Sequence, residues 1–97
     1  MPFIQIVSFS TSHVEEMKAL SDKYRADTEG KRTSSKATIC ADRDNPGRYS
    51  IIAEFPSYEA AMENSNLPET EALAEEMAKL ADGPATYHNL EVLHTYE

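Results

Sequence analysis

The sequence predicts a single α+β domain over residues 1–97, with one four-stranded antiparallel sheet carrying its helices on one face. Three observations point there. Short β-branched runs alternate with two segments whose apolar residues recur at three- and four-residue steps. A Pro-Gly turn joins the two middle strands. Finally, Phe9-Ser-Thr-Ser12 followed by Met17 is echoed by Phe55-Pro-Ser57 followed by Met62, a faint internal repeat of strand-helix-strand.

The elements follow in order. Phe3 to Phe9, with Ile4, Ile6 and Val7, reads as a strand. Ser12 lies three residues before Glu15, the spacing of a capping box in which serine oxygen and glutamate satisfy each other's backbone donors. Val14, Met17, Leu20, Ser21 and Tyr24 then form one helix face, and Gly30 is a natural stop before a polar loop to Lys36. Ala37–Ala41 and Tyr49–Phe55 form a hairpin around Asp42-Arg-Asp-Asn-Pro-Gly-Arg48, where Gly47 is free to take positive φ. Ser57 caps a second helix with Tyr58, Ala61, Met62 and Ser65 on one side. Asn66-Leu-Pro68 interrupts it, because proline lacks a donor and disfavours helix in the residue before it. The helix resumes with Leu73, Met77, Leu80 and Ala81 inward and ends at Gly83-Pro84; Ala85 to Tyr96 is the last strand. Strand, helix, strand, strand, helix, strand is the split βαβ order of ferredoxin-like folds.

Charge and cysteine content exclude several classes. With 9 Lys+Arg against 17 Asp+Glu, the net charge of −8 argues against nucleic acid and against anionic membrane surfaces. No window approaches the ~18 apolar residues of a membrane-spanning helix. Met-Pro-Phe-Ile-Gln-Ile-Val lacks the basic and apolar regions of a signal peptide, so the expectation is a soluble cytoplasmic protein. The lone Cys40, between Ile39 and Ala41, reads as a packed strand residue.

Both faces of the expected sheet carry bulky apolar side chains. Phe3, Val7 and Phe9 oppose Ile4 and Ile6; Tyr49, Ile51, Ala53 and Phe55 oppose Ile52; Tyr87 and Leu93 oppose Leu90 and Val92. Helices can cover one face only. Leaving the other wet forfeits several kcal/mol at ~25 cal/mol per Å², so a two-fold homodimer joined sheet to sheet is expected.

The run Tyr49-Ser-Ile-Ile-Ala-Glu-Phe-Pro-Ser-Tyr-Glu-Ala-Ala-Met-Glu-Asn-Ser-Asn66, together with Asp82-Gly-Pro84, resembles the dimeric α/β barrel superfamily, which includes antibiotic-biosynthesis-monooxygenase-like proteins. The resemblance covers essentially the whole chain. It implies two ferredoxin-like sheets closing a barrel across the dimer, with a small-molecule pocket between helices and sheet in each subunit. Its known activities include cofactor-free oxygenation of aromatic polyketides and quinols, haem degradation and isomerisation. The sequence departs from the pattern where many members carry Trp and a helical His: Phe55 and Asn64 stand at those positions. The haem-degrading branch needs a helical His, and residues 57–82 contain none, so haem degradation is not expected; with no zinc signature in the sequence, no cofactor and no metal are expected either.

Several residues can carry chemistry. His88 can act as a base or be an ordinary surface histidine. His88 and His94 are about 20 Å apart along a strand, too far to share a metal. Tyr58, Met62, Asn64 and Asn66 surround the helix interruption, where freed backbone groups and amides can read a polar ligand; Asn66 also fits an N-cap, and Asn64 an exposed helical position. Tyr24, Tyr49, Tyr58 and Tyr87 offer aromatic walls with hydroxyl handles, or simply core. Lys31, Arg32, Lys36, Arg43 and Arg48 can steer an anion or be solvated, and the Glu-rich second helix reads as a solvated face. Two functions remain open. One is a cofactor-independent oxygenase using His88, Asn64 and Tyr58, with Tyr24, Tyr49, Met62, Asn66 and Tyr87 holding a small aromatic ligand. The other is a non-catalytic dimeric ligand-binding or stress-related protein.

Overall fold

A computed structural model describes residues 1–97. The chain runs β1 (Phe3–Ser10), α1 (Val14–Asp27), β2 (Lys36–Ala41), β3 (Arg48–Phe55), α2 (Tyr58–Ser65), α3 (Pro68–Leu80) and β4 (Thr86–Glu91). The four strands lie in the order β2-β3-β1-β4 with every neighbouring pair antiparallel, so the two halves interleave. No helix is long and apolar enough to cross a membrane.

Turn chemistry sets the hairpin. Asp42 accepts from the Asp44 N–H at 2.9 Å and from Asn45 Nδ2 at 3.1 Å, folding the β2–β3 loop on itself. Gly47 takes φ +87°, and its carbonyl accepts from the Thr11 N–H at 3.0 Å. A side chain there would strain the left-handed backbone that makes this cross-link.

The interruption after α2 is where proline chemistry places it, but the capping differs from expectation. Ser57 Oγ accepts from the Ala60 N–H at 3.1 Å, a normal N-cap. Asn66 is the C-cap of α2 instead of the N-cap of α3. Leu67 holds the N-cap position in extended backbone (φ −68°, ψ 135°), the conformation a following proline imposes, and Pro68 opens the helix.

Two further expectations are corrected. Ser12 does not cap α1; the N-cap is His13, without a side-chain cap bond, and Glu15 pairs with Lys18 at 2.8 Å. The cause lies one residue upstream. Thr11 is buried and bridged to Ala81, donates to the Leu80 carbonyl at 2.6 Å and accepts from the His13 N–H at 2.9 Å, so the chain stays extended and enters the helix later. The last strand stops at Glu91, not Tyr96. Its one neighbour, β1, begins at Phe3 opposite Glu91, and beyond it Leu93 and Tyr96 are 85% and 88% exposed.

The core lies between sheet and helices. Phe3, Phe55 and Ala61 form its main cluster, with Phe9 and Met17 buried toward the other end. Lys31 pairs with Glu69, tying the loop after α1 to the first turn of α3; that hydrogen bond, foremost, holds the Glu69 carboxyl below its ordinary value.

The sheet's outer face is open. Registers put Ile4 beside Leu90, and Ile52, Ile6 and His88 in one row. Ile4, Ile6 and Ile52 are half-buried and Leu90 is 46% exposed. Toward the other end this face turns polar: Ser8 and Ser50 hydroxyls meet at 2.9 Å, and Arg48 donates to Ser10 and Thr86. Cys40, also on this face beside Ser50, is half-buried rather than core.

Candidate functional site

Between the helices and the inner face of the sheet lies a cavity of about 590 Å³, within the range of small-molecule sites. Its existence follows from residue size. The sheet contributes Val7, Ile51 and Phe55, but also Ala37 and Ala53 near the middle, while α3 faces it with Ala74 and Ala78 beside Leu73 and Met77. Alanines at these positions leave unfilled the space that larger side chains would occupy.

The polar end of the cavity is a connected network. Asn64 is 7% exposed; its Oδ1 accepts from the Thr33 N–H at 3.1 Å and its Nδ2 donates to the Tyr24 hydroxyl at 3.1 Å. The Tyr24 hydroxyl in turn meets Thr70 Oγ1 at 2.8 Å. Thr33 also donates its hydroxyl to the Ala60 carbonyl, fixing the loop that carries it. Asn64, Tyr24 and Thr70 therefore come from three helices and line the cavity together. The amide keeps one N–H beyond those already used, and the two hydroxyls keep spare capacity for a ligand oxygen.

The structure separates residues that the sequence reading grouped. Asn64, Tyr24 and Tyr87 line the cavity. Asn64 is not the exposed helical residue its Glu-rich surroundings allow. Tyr58 is 48% exposed and stands edge-on to Phe3, with centroids 5.4 Å apart, away from the cavity. Met62 packs against the Phe3–Phe55–Ala61 cluster, Tyr49 lies against Phe9, and Asn66 is an exposed C-cap; none lines the cavity. The expected gathering of His88 with Asn64 does not occur. His88 is in register with Ile6 on the outer face, while its neighbours Tyr87 and Asn89 pair with Val7 and Gln5 on the inner one. A strand residue of that parity cannot reach the cavity. No group of His, Cys, Asp and Glu has metal-holding geometry.

Among the lining residues not singled out from the sequence are Thr70 and Arg25. Thr70 looked like part of a solvated helix, although it follows Pro68 within the first turn of α3. Arg25 lies eight residues after Met17, at the margin of the apolar face of α1, a spacing that signals the same side of a helix.

No family model matches the sequence, and no curated protein is similar to it in sequence. In three dimensions the likeness is extensive. SnoaB, a cofactor-independent oxygenase from Streptomyces nogalater, superposes with a TM-score of 0.80 at 15% identity, covering 97% of this chain and 95% of its own. Rv0793 from Mycobacterium tuberculosis gives 0.80 at 17% identity with 100% of both chains covered. A candidate antibiotic biosynthesis monooxygenase from Nitrosomonas europaea gives 0.78 at 14% identity, covering 96% and 91%. The chain thus has, over nearly its whole length, the ferredoxin-like α+β fold of these three structures.

Proposed function

We propose that the cavity binds a small hydroxylated aromatic molecule and that the protein oxygenates it without a cofactor. One observation carries this reading: a largely apolar cavity that closes on the Tyr24–Asn64–Thr70 network. Apolar walls suit a planar ring, and the network supplies donors for its oxygen substituent. In such chemistry the substrate's own carbanion gives electrons to dioxygen. A ring methylene becomes a carbonyl, one oxygen atom enters the product, and the other leaves as water with both hydrogens. The protein's part is to exclude water, orient the ring and hydrogen-bond its oxygen. SnoaB, of the same fold, is a cofactor-independent oxygenase, which supports the reading.

The working unit in this proposal is a homodimer. Ile4, Ile6, Ile52 and Leu90 form the apolar half of the open sheet face, and a second copy packed sheet to sheet covers both patches at once.

A second reading, ligand binding without turnover, is favoured by one specific fact: no histidine lines the cavity. One experiment separates the two. Purified protein is mixed with anthrones and quinols in an oxygen electrode, with no metal or flavin added. Wild type is expected to consume oxygen, and Tyr24→Phe, which removes only the hydroxyl, to be slower by about tenfold, the equivalent of ~1.4 kcal/mol in the transition state. Thermal stabilisation by these compounds without oxygen uptake establishes binding alone. Absence of both oxygen uptake and stabilisation contradicts both readings.

A further inference from the structure

We infer that Arg25 makes the cavity select its ligand in the anionic form, a phenolate or enolate, so that the site needs no histidine base. The inference rests on the proposed ligand site and adds to it the ionisation state of what binds.

Arg25 is half-buried in the last turn of α1 and is the one cation lining the cavity, next in sequence to Tyr24. It has no partner in the chain. The ion pairs engage His13, Lys18, Lys23, Lys31, Arg32 and Lys79, and Arg48 donates to Ser10 and Thr86. A basic residue in a last helical turn ordinarily serves the terminal carbonyls. Here that task is filled by others: Arg32 Nη1 donates to the Arg25 carbonyl at 2.9 Å, and the Thr28 hydroxyl to the Tyr24 carbonyl at 2.6 Å. The Arg25 side chain is left without a partner at the lining of a largely apolar cavity, in a protein of net charge −8.

The other titratable groups facing the cavity are few. Tyr24 comes from α1, Glu71 from α3 and Tyr87 from β4; α2 and strands β1 to β3 contribute none. Glu71 is exposed to solvent, which screens its charge, and neither it nor Arg25 belongs to any of the ion pairs. The field at the cavity wall is thus set by the Arg25 guanidinium, the one cation of the lining. An opposite charge close to an acidic hydroxyl lowers its pKa by about one to three units. The ligand O–H bond then breaks heterolytically, the electron pair stays on oxygen beside Arg25, and the proton passes to bulk water.

The test uses 7-hydroxycoumarin, whose phenol and phenolate absorb at different wavelengths, titrated with pH at saturating protein. Wild type is expected to lower its apparent pKa by about one unit or more, a tenfold rise in the phenolate-to-phenol ratio. Arg25→Gln should still bind the neutral phenol but lose the shift, and Arg25→Lys should retain part of it. Binding to wild type with an unshifted or raised pKa, or an unchanged shift in Arg25→Gln, overturns the inference and leaves the ligand site standing. Absence of any dye binding to wild type overturns the site and the inference together.

Discussion

Phe55→Ala is expected to destabilise the subunit by about 3–5 kcal/mol, the usual cost of deleting a buried phenyl ring. Phe55 is 5% exposed at the end of β3, with its ring tilted against Phe3 at 6.4 Å and with Ala61 beside it. Its neighbours cannot close over the gap, because Phe55 also borders the cavity and its removal enlarges a space already open. The buried apolar core comprises only Phe3, Phe9, Met17, Phe55 and Ala61, so no other large group compensates. Against a total of ~5–15 kcal/mol for a domain, the loss is a large share. At about 4–8 °C per kcal/mol, the melting temperature should fall by more than ten degrees, read by circular dichroism. A fall of less than about 5 °C would show that the Phe3–Phe55 cluster is not the main core.

Ile6→Lys should abolish self-association while leaving the subunit folded. Ile6 sits mid-sheet on the open face, between Ile52 and His88. In a lone subunit the lysine stem can lie along the sheet with its ammonium in water, at little cost. In the proposed two-fold dimer the substitution enters twice at the centre of the interface. Central interface positions cost ~2 kcal/mol or more each, so the dissociation constant should rise by about a thousandfold. Sedimentation should find wild type at twice the 10.8 kDa subunit mass and Ile6→Lys at the subunit mass. A wild-type protein that stays at the subunit mass at micromolar concentration contradicts the dimer.

Much of the fold was legible because its signals are local. The Asp42–Arg48 turn, the Ser57 cap and the break before Pro68 each depend on a few adjacent residues, and they appear where the sequence puts them. Ser12 misled because a capping box is also local, whereas Thr11 is held extended by Ala81, seventy residues away in the chain. Leu93 to Tyr96 carries residue types that suit a strand, such as Thr95 and Tyr96, but pairing needs a neighbour, and β1 runs out at Phe3.

The site was less legible, for two physical reasons. With isoleucines on both faces, alternation alone cannot say which face the helices cover, and that choice decides whether His88 or Tyr87 borders the cavity. The burial of Asn64 depends on Thr33 and Tyr24, which lie 31 and 40 residues away; nothing in its Glu-rich helix announces them. Tyr24 was readable because it falls on the apolar stripe of α1, and Arg25 was missed because it lies at that stripe's edge.

In the proposed function a small molecule sits in the space between helices and sheet. Isotope-filtered NMR on the protein saturated with 7-hydroxycoumarin tests it directly, through cross-relaxation between dye ring protons and side-chain methyls. Contacts to Ile51, Leu73 and Met77 are predicted, since all three border that space. Contacts confined to Ile4, Ile6 and Ile52 on the opposite face would contradict it.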